Sequence, residues 1–379
     1  MGDHTGQDPN PISQAPDSSL LAPHISVRLA SPIPILLSCA ALALAFVGLF
    51  EWDVPLTRFI RSLNDVHMDH LANPWLAQLS DLGDRLGKGE SLVIVSVALL
   101  AVGYGLKHPL WKDAGWQSLI AHGLAALSAN ILKHVIGRPR PKFMHAGNIE
   151  FAPISGSGWD SFPSGHAAAA FAVATVLAAK FPRARWPILV AAVAIAVSRI
   201  IRGSHYLTDV TGGAALGCIM GVIAVHSWRD WYASAGVAVY RIAPFFVATL
   251  ALVWTIVRLP TESWPFQELL WGGLALTLVG LVGHVVWTVQ PSRRPGWLSG
   301  ALARCLVGLG LGMTVGSFFV MAAVLLVCAA HWMDERFHQA ESKIEGHVGL
   351  RLAVAEGLFV AAVLLVLGAS YALKGIVPM

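Results

Sequence analysis

Charge is scarce in this sequence. Asp, Glu, Lys and Arg make up 13% of its 379 residues, about half the share of an ordinary soluble domain, and that deficit excludes a water-soluble globular protein as the default class. Cysteine is scarce as well. Cys39, Cys218, Cys305 and Cys328 all fall inside or beside apolar runs, without paired spacing, which argues against a disulfide framework or a zinc site. There is no carboxylate cluster of the kind a divalent cation would want beside the motifs described below. A cleavable leader is not seen either: the polar stretch over 1–31, rich in Pro, Ser, Asp and Gly, reads as a disordered tail on a retained helix.

Apolar residues dominate what is present, at 55%, and they come in runs long enough to cross a hydrocarbon core roughly 30 Å thick. A spanning segment must satisfy its own backbone, so the expected class is all-α, a polytopic membrane protein. Ten spans are predicted, over 34–50, 91–106, 115–136, 163–180, 186–199, 205–225, 241–257, 268–289, 303–330 and 350–373. Between the first two, Leu56, Phe59, Ile60 and Leu63 recur at helical spacing, predicting an interfacial helix within 51–90 with Trp52 and Trp75 as anchors. The chain divides into the tail, a six-helix core over 32–234, and an extension of about four further spans over 235–379.

The net charge of +4 is scattered between apolar runs, which reads as a membrane-topology signal and excludes nucleic acid as the partner. An even number of spans with a cytoplasmic N-terminus puts the loop at 137–162 outside. Total basic residues on the two sides tie. The short loops at 107–114 and 180–185, basic with few acids, tip the balance.

Three clusters fall at one face of the predicted bundle. Lys133 precedes Arg140 and Pro141 by six intervening residues in KHVIGRPRP; Pro163, Ser164, Gly165 and His166 follow; Ser198 and Arg199 then precede His205 and Asp209. Lys133, Arg140 and Arg199 supply three cations, and the planar arginine fork matches phosphate oxygens. Ser164 and Gly165 open an Ala-rich helix whose first N–H groups favour an anion. The four-residue spacing of His205 and Asp209 predicts one helical face, on which the carboxylate orients the imidazole and leaves its other nitrogen free to attack. His166 can protonate a leaving oxygen and later deprotonate water. Three cations can stabilise the charge of phosphoryl transfer without a metal or other cofactor.

These blocks, K-x6-RP, PSGH and SR-x5-H-x3-D, resemble the type 2 phosphatidic acid phosphatase superfamily, the lipid phosphate phosphatases, with all three at the family's spacing. The resemblance covers about residues 30 to 228. It implies a six-helix core with an extracytoplasmic site in the inner membrane, phosphate binding by Lys133, Arg140, Ser164, Gly165 and Arg199, acid and base work by His166, and a phosphoenzyme at His205 steadied by Asp209. The implied partners are the bilayer and a lipid phosphate: undecaprenyl diphosphate, phosphatidylglycerophosphate, phosphatidic acid or a lipid A phosphate. Transfer of the phosphoryl group to another lipid, and a lipid-binding protein with a vestigial site, are the alternative functions. Assembly into a homo-oligomer stays open.

Two further signals are read blandly. His122, on the face of Lys133, is expected to be a packed polar residue bonded to a neighbouring helix. The segment from His331 to Arg351, with Asp334 and His338 at ligand spacing, is expected to be solvated surface.

Overall fold

The computed structural model describes residues 32–64, 74–143, 151–156, 158–226, 230–257, 267–289 and 300–339. Its elements are helices α1 (Ile33–Asn64), α2 (Pro74–Gly87), α3 (Gly89–Gly105), α4 (Pro109–Ile136), α5 (Gly165–Lys180), α6 (Arg185–Ile201), α7 (Leu207–Val225), α8 (Trp231–Val257), α9 (Gln267–Val289), α10 (Gly300–Val315) and α11 (Phe318–Gln339). No strand occurs among the described residues. Among the described residues, five helices are long and apolar enough to cross a membrane, and α2 with α3, bent by 56°, makes a sixth if the pair is one span. The all-α polytopic class expected from composition is the observed one.

The span predicted over 241–257 begins ten residues earlier, at Trp231, and two others differ from expectation in kind. The first was predicted to end at residue 50, where Glu51 and Asp53 interrupt the apolar run, but α1 continues to Asn64. Asp53 can stay in the helix because it is fully buried against the Arg138 guanidinium, with 2.6 Å between charged atoms, so its carboxylate has no need to reach water. Trp52 accordingly turns inward and meets Trp254 of α8 edge to face at 5.0 Å, and does not act as an interfacial anchor. Trp75 does face outward, on the amphipathic α2, where Leu79, Leu82 and Leu86 continue the exposed apolar stripe.

The second difference lies in the extension. The span predicted over 303–330 is two antiparallel helices, α10 and α11, reversed at Gly316, whose φ of +66° suits glycine. Gly312 lies against Met321 and Gly308 against Val324; hydropathy registers one apolar run and cannot register the reversal. The even count took 303–330 as one span, so without it orientation rests on the short basic loops. The predicted span at 350–373 lies outside the described residues.

The core that positions the functional motifs is the α5–α7 contact. Gly213, Gly217 and Gly221 recur every fourth residue along α7 and face the Ala-rich α5; a Cβ on Gly217 would come within 2.3 Å of the Ala168 carbonyl oxygen. Small residues at this spacing let helix backbones approach closely in a membrane. On the other side of α7, an apolar cluster that includes Leu49, Leu207, Phe246, Leu250 and Val320 joins α1, α7, α8 and α11, so the extension packs directly on α1.

Candidate active site

The ends of α4, α5, α6 and α7 meet around the residues singled out above. α4 stops at Gly137, which takes a left-handed φ of +59° and returns its N–H to the Lys133 carbonyl at 2.9 Å. The chain then crosses as Arg138-Pro139-Arg140-Pro141 beside the segment preceding α5: Arg140 N–H donates to the Gly158 carbonyl at 2.9 Å and Ser161 N–H to the Arg138 carbonyl at 3.0 Å. This pairing sets Arg140 beside Asp160, which accepts from Nε at 2.9 Å and from an Nη at 2.6 Å. Lys133 Nζ lies 3.7 Å from the same carboxylate and beside the start of α5, 3.9 Å from where a Cβ on Gly165 would stand. The hydrogen bonds from Arg140 hold Asp160 well below the usual carboxylate range.

Ser164 caps α5. Its N–H donates to the Asp209 carbonyl oxygen at 2.9 Å, and its buried Oγ has no hydrogen-bond partner among the described residues. One turn into the same site, His166 Nε2 is 3.5 Å from Asp84 of α2. Arg199, at the end of α6 and 5% exposed, pairs with Asp84 as well. Arg202 lies 3.8 Å from that carboxylate.

His205 is not on the helical face of Asp209. α7 begins at Leu207, and His205 lies in the connection before it, its backbone folded onto the Arg199 carbonyl. Nδ1 is 2.9 Å from the Ser161 carbonyl oxygen; a carbonyl only accepts, so Nδ1 carries the proton and Nε2 keeps its lone pair. Asp209 is farther from Nδ1, at 3.6 Å. In the first turn of α7 its carboxylate points back to the helix start and accepts from Tyr206 N–H at 2.8 Å, from the Ser161 hydroxyl and from Arg138. Burial pushes the His205 pKa down.

All eight expected site residues are thus drawn to one end of the bundle: Ser164, Arg199, His205 and Asp209 buried there, Lys133, Arg140, Gly165 and His166 partly exposed. Sequence reasoning missed five more. Asp160 and Asp84 pair with the site's cations, the Ser161 carbonyl fixes the His205 tautomer, and Arg138 joins Asp53 to Asp209. Asp53 carried a usable signal, being an acid at membrane depth. So did Arg138, inside the first motif. Asp84 carried none, since α2 reaches the site only through the bend at Lys88. Of the residues read as bland, His122 has Nδ1 buried without a partner among the described residues, so it is not bonded to a neighbouring helix there. Asp334 accepts from Tyr240 at 3.0 Å, so α11 carries it onto α8 and not into solvent. The rest of the 331–351 segment that the reading relied on lies largely outside the described residues.

The arrangement can hold a dianion. Three cations, the buried Ser164 hydroxyl and a helix start lie at the same end of the bundle, together with two imidazoles, chemistry suited to nucleophilic and acid–base work.

Comparison with known proteins agrees with this chemistry. The PAP2 superfamily profile matches residues 114–233, which span every motif and end just inside α8. The chain is 33% identical over 159 residues to a lipid A 1-phosphatase of Rhizobium etli, the match covering 37% of this chain and 68% of the relative. It is 42% identical over 159 residues to a lipid A 1-phosphatase of Rhizobium johnstonii, covering 37% and 64%. A phosphatidylglycerophosphatase B of Bacillus subtilis is 30% identical over 162 residues, covering 40% and 74%. No solved structure matches the chain at a significant level.

Proposed function

Because this chain belongs to the PAP2 superfamily, we propose that it is a multi-pass membrane lipid phosphatase that works through a phosphohistidine on His205, without a metal. The observation that carries this reading is the hydrogen bond from His205 Nδ1 to the Ser161 carbonyl at 2.9 Å, which leaves Nε2 free on a ring that feels the charges of Arg140 and Arg199. Asp160 and Asp84 support it, since carboxylates on these arginines use the same fork of donors that a phosphate would take.

In the first step the Nε2 lone pair attacks phosphorus, the bond from phosphorus to the lipid oxygen breaks, and His166 gives its proton to that oxygen. The cations and Ser164 stabilise charge on the equatorial oxygens. Water then attacks phosphorus, the phosphorus–nitrogen bond breaks, His166 takes a proton from the water, and inorganic phosphate leaves with His205 neutral again. Asp84, 3.5 Å from His166 Nε2, favours the protonated form that the first step needs.

The relatives named lipid A 1-phosphatase make a glycolipid 1-phosphate the first substrate to test, with phosphatidylglycerophosphate second. The basic short loops support a site on the extracytoplasmic side of a bacterial inner membrane. Purified protein is expected to release phosphate from lipid phosphates in the presence of a chelator and to be blocked by vanadate; His205→Ala with undiminished turnover sinks the mechanism.

A further inference from the structure

Next to the phosphate-binding groups lies a half-open cavity of about 150 Å³, lined by the α2–α3 bend, α4 and the start of α5. Resting on the phosphatase reading above, we propose that this cavity is the leaving-group subsite and that it takes a single polar ring, of glycosyl type, selected by His122 and Asn130.

Position comes first. Lys133, Gly165 and His166 are among its walls, whereas His205 is not. In-line displacement sends the leaving oxygen away from the attacking nitrogen and toward the acid, so the group attached to that oxygen must lie on the His166 side.

Size comes second. A cavity of about this volume in another protein holds one benzene ring, so one six-membered ring fits. The space exists because the walls are small. Ala126 and Ala169 line it, and at the bend a Cβ on Gly87 would come 3.0 Å from His166 Cδ2, one on Gly89 3.3 Å from His122 Nε2.

Polarity decides between occupants. His122 Nδ1 is buried with no hydrogen-bond partner among the described residues, and Asn130 adds an amide to the same wall. A hydrocarbon would leave that nitrogen unpaired, which is costly in a buried site. A ring hydroxyl or amide group would pair it.

The test uses the full chain in detergent and follows phosphate release from three substrates: a lipid A-type glucosamine 1-phosphate, phosphatidic acid and a polyprenyl diphosphate. Ala126→Leu fills the cavity, and His122→Leu removes the polar contact without adding bulk, which keeps the test open should the filled variant not fold. Each is expected to lower kcat/KM on the glycolipid phosphate about tenfold or more while leaving phosphatidic acid within about twofold. Equal losses on all three substrates, or no loss on the glycolipid, overturn the subsite while the phosphatase reading stands. A wild-type chain that releases phosphate from none of them overturns both.

Discussion

Arg138 and Asp209 are joined by a 2.6 Å hydrogen bond from an arginine Nη to a carboxylate oxygen, both side chains almost fully buried. The other Nη is bound to Asp53 of α1 at 2.6 Å. One guanidinium therefore ties the first helix to the residue behind His205, and this connection runs through a chain position outside the eight expected for the site.

Arg138→Ala leaves two buried carboxylates facing each other. Removing one partner of a buried ion pair costs about 3–5 kcal/mol, so the variant is expected to melt earlier and to lose most activity. Arg138→Lys keeps the charge but cannot bridge both acids with a planar fork. It is expected to retain the fold, with kcat lowered about tenfold or more and KM little changed. A lysine variant with normal kcat would mean that the network serves stability alone.

Substituting His166 should depend on the leaving group and substituting His205 should not. His205→Ala is expected to abolish turnover of every phosphate ester. His166→Ala is expected to lose about 100-fold or more on lipid substrates but much less on an aryl phosphate, whose leaving oxygen needs no proton. Acid-labile labelling of His166→Ala by a radioactive aryl phosphate, absent from His205→Ala, would place the phosphoryl group.

Asp160 competes for Lys133 and Arg140, and its depressed pKa keeps it ionised across the working range. Asp160→Asn removes that competing charge. Vanadate inhibition is expected to tighten by about threefold to tenfold, worth roughly 1 kcal/mol. Weaker inhibition would show instead that Asp160 holds the two cations in place.

The pH profile follows from His205. The attacking form is neutral; burial disfavours the charged form, so its pKa lies below the usual 6.5, and neutral imidazole persists at pH values where a free histidine is largely protonated. The acid limb of kcat/KM, corrected for titration of the substrate, is expected below 6.5. A limb at or above that value contradicts the assignment of His205 as nucleophile.

Packing sets the site's geometry at a distance. Gly217→Ala puts a methyl within 2.3 Å of the Ala168 carbonyl oxygen and is expected to cost about 1–3 kcal/mol of stability. It should also lower activity, because α5 and α7 carry His166 and Asp209. A thermal melt and a turnover assay on the same preparation check both effects.

How much of this was legible depended on the range of each interaction. The helical class was readable because an apolar run has few ways to satisfy its backbone in a membrane. The motif residues were readable because phosphate demands cations and donors, and because Lys133 to Arg140, Ser164 to His166 and Arg199 to Asp209 are each close in sequence. The reversal at Gly316 was not, since hydropathy is blind to direction. The α1 end was misread because Asp53 looked like a residue bound for water until Arg138 was found beside it.

By itself, then, the sequence determined a polytopic helical protein and the chemical inventory of its site: two imidazoles, three cations and a capped helix start, at spacings that suit phosphoryl transfer. The tertiary structure decided which groups actually touch. His205 is oriented by a carbonyl 44 positions earlier and Asp209 by an arginine 71 positions earlier. Asp84 arrives from a helix 115 positions before Arg199. Hydrogen bonds and buried charges are satisfied by whichever partner the packed helices bring within about 3 Å, and separation along the chain does not register in that choice.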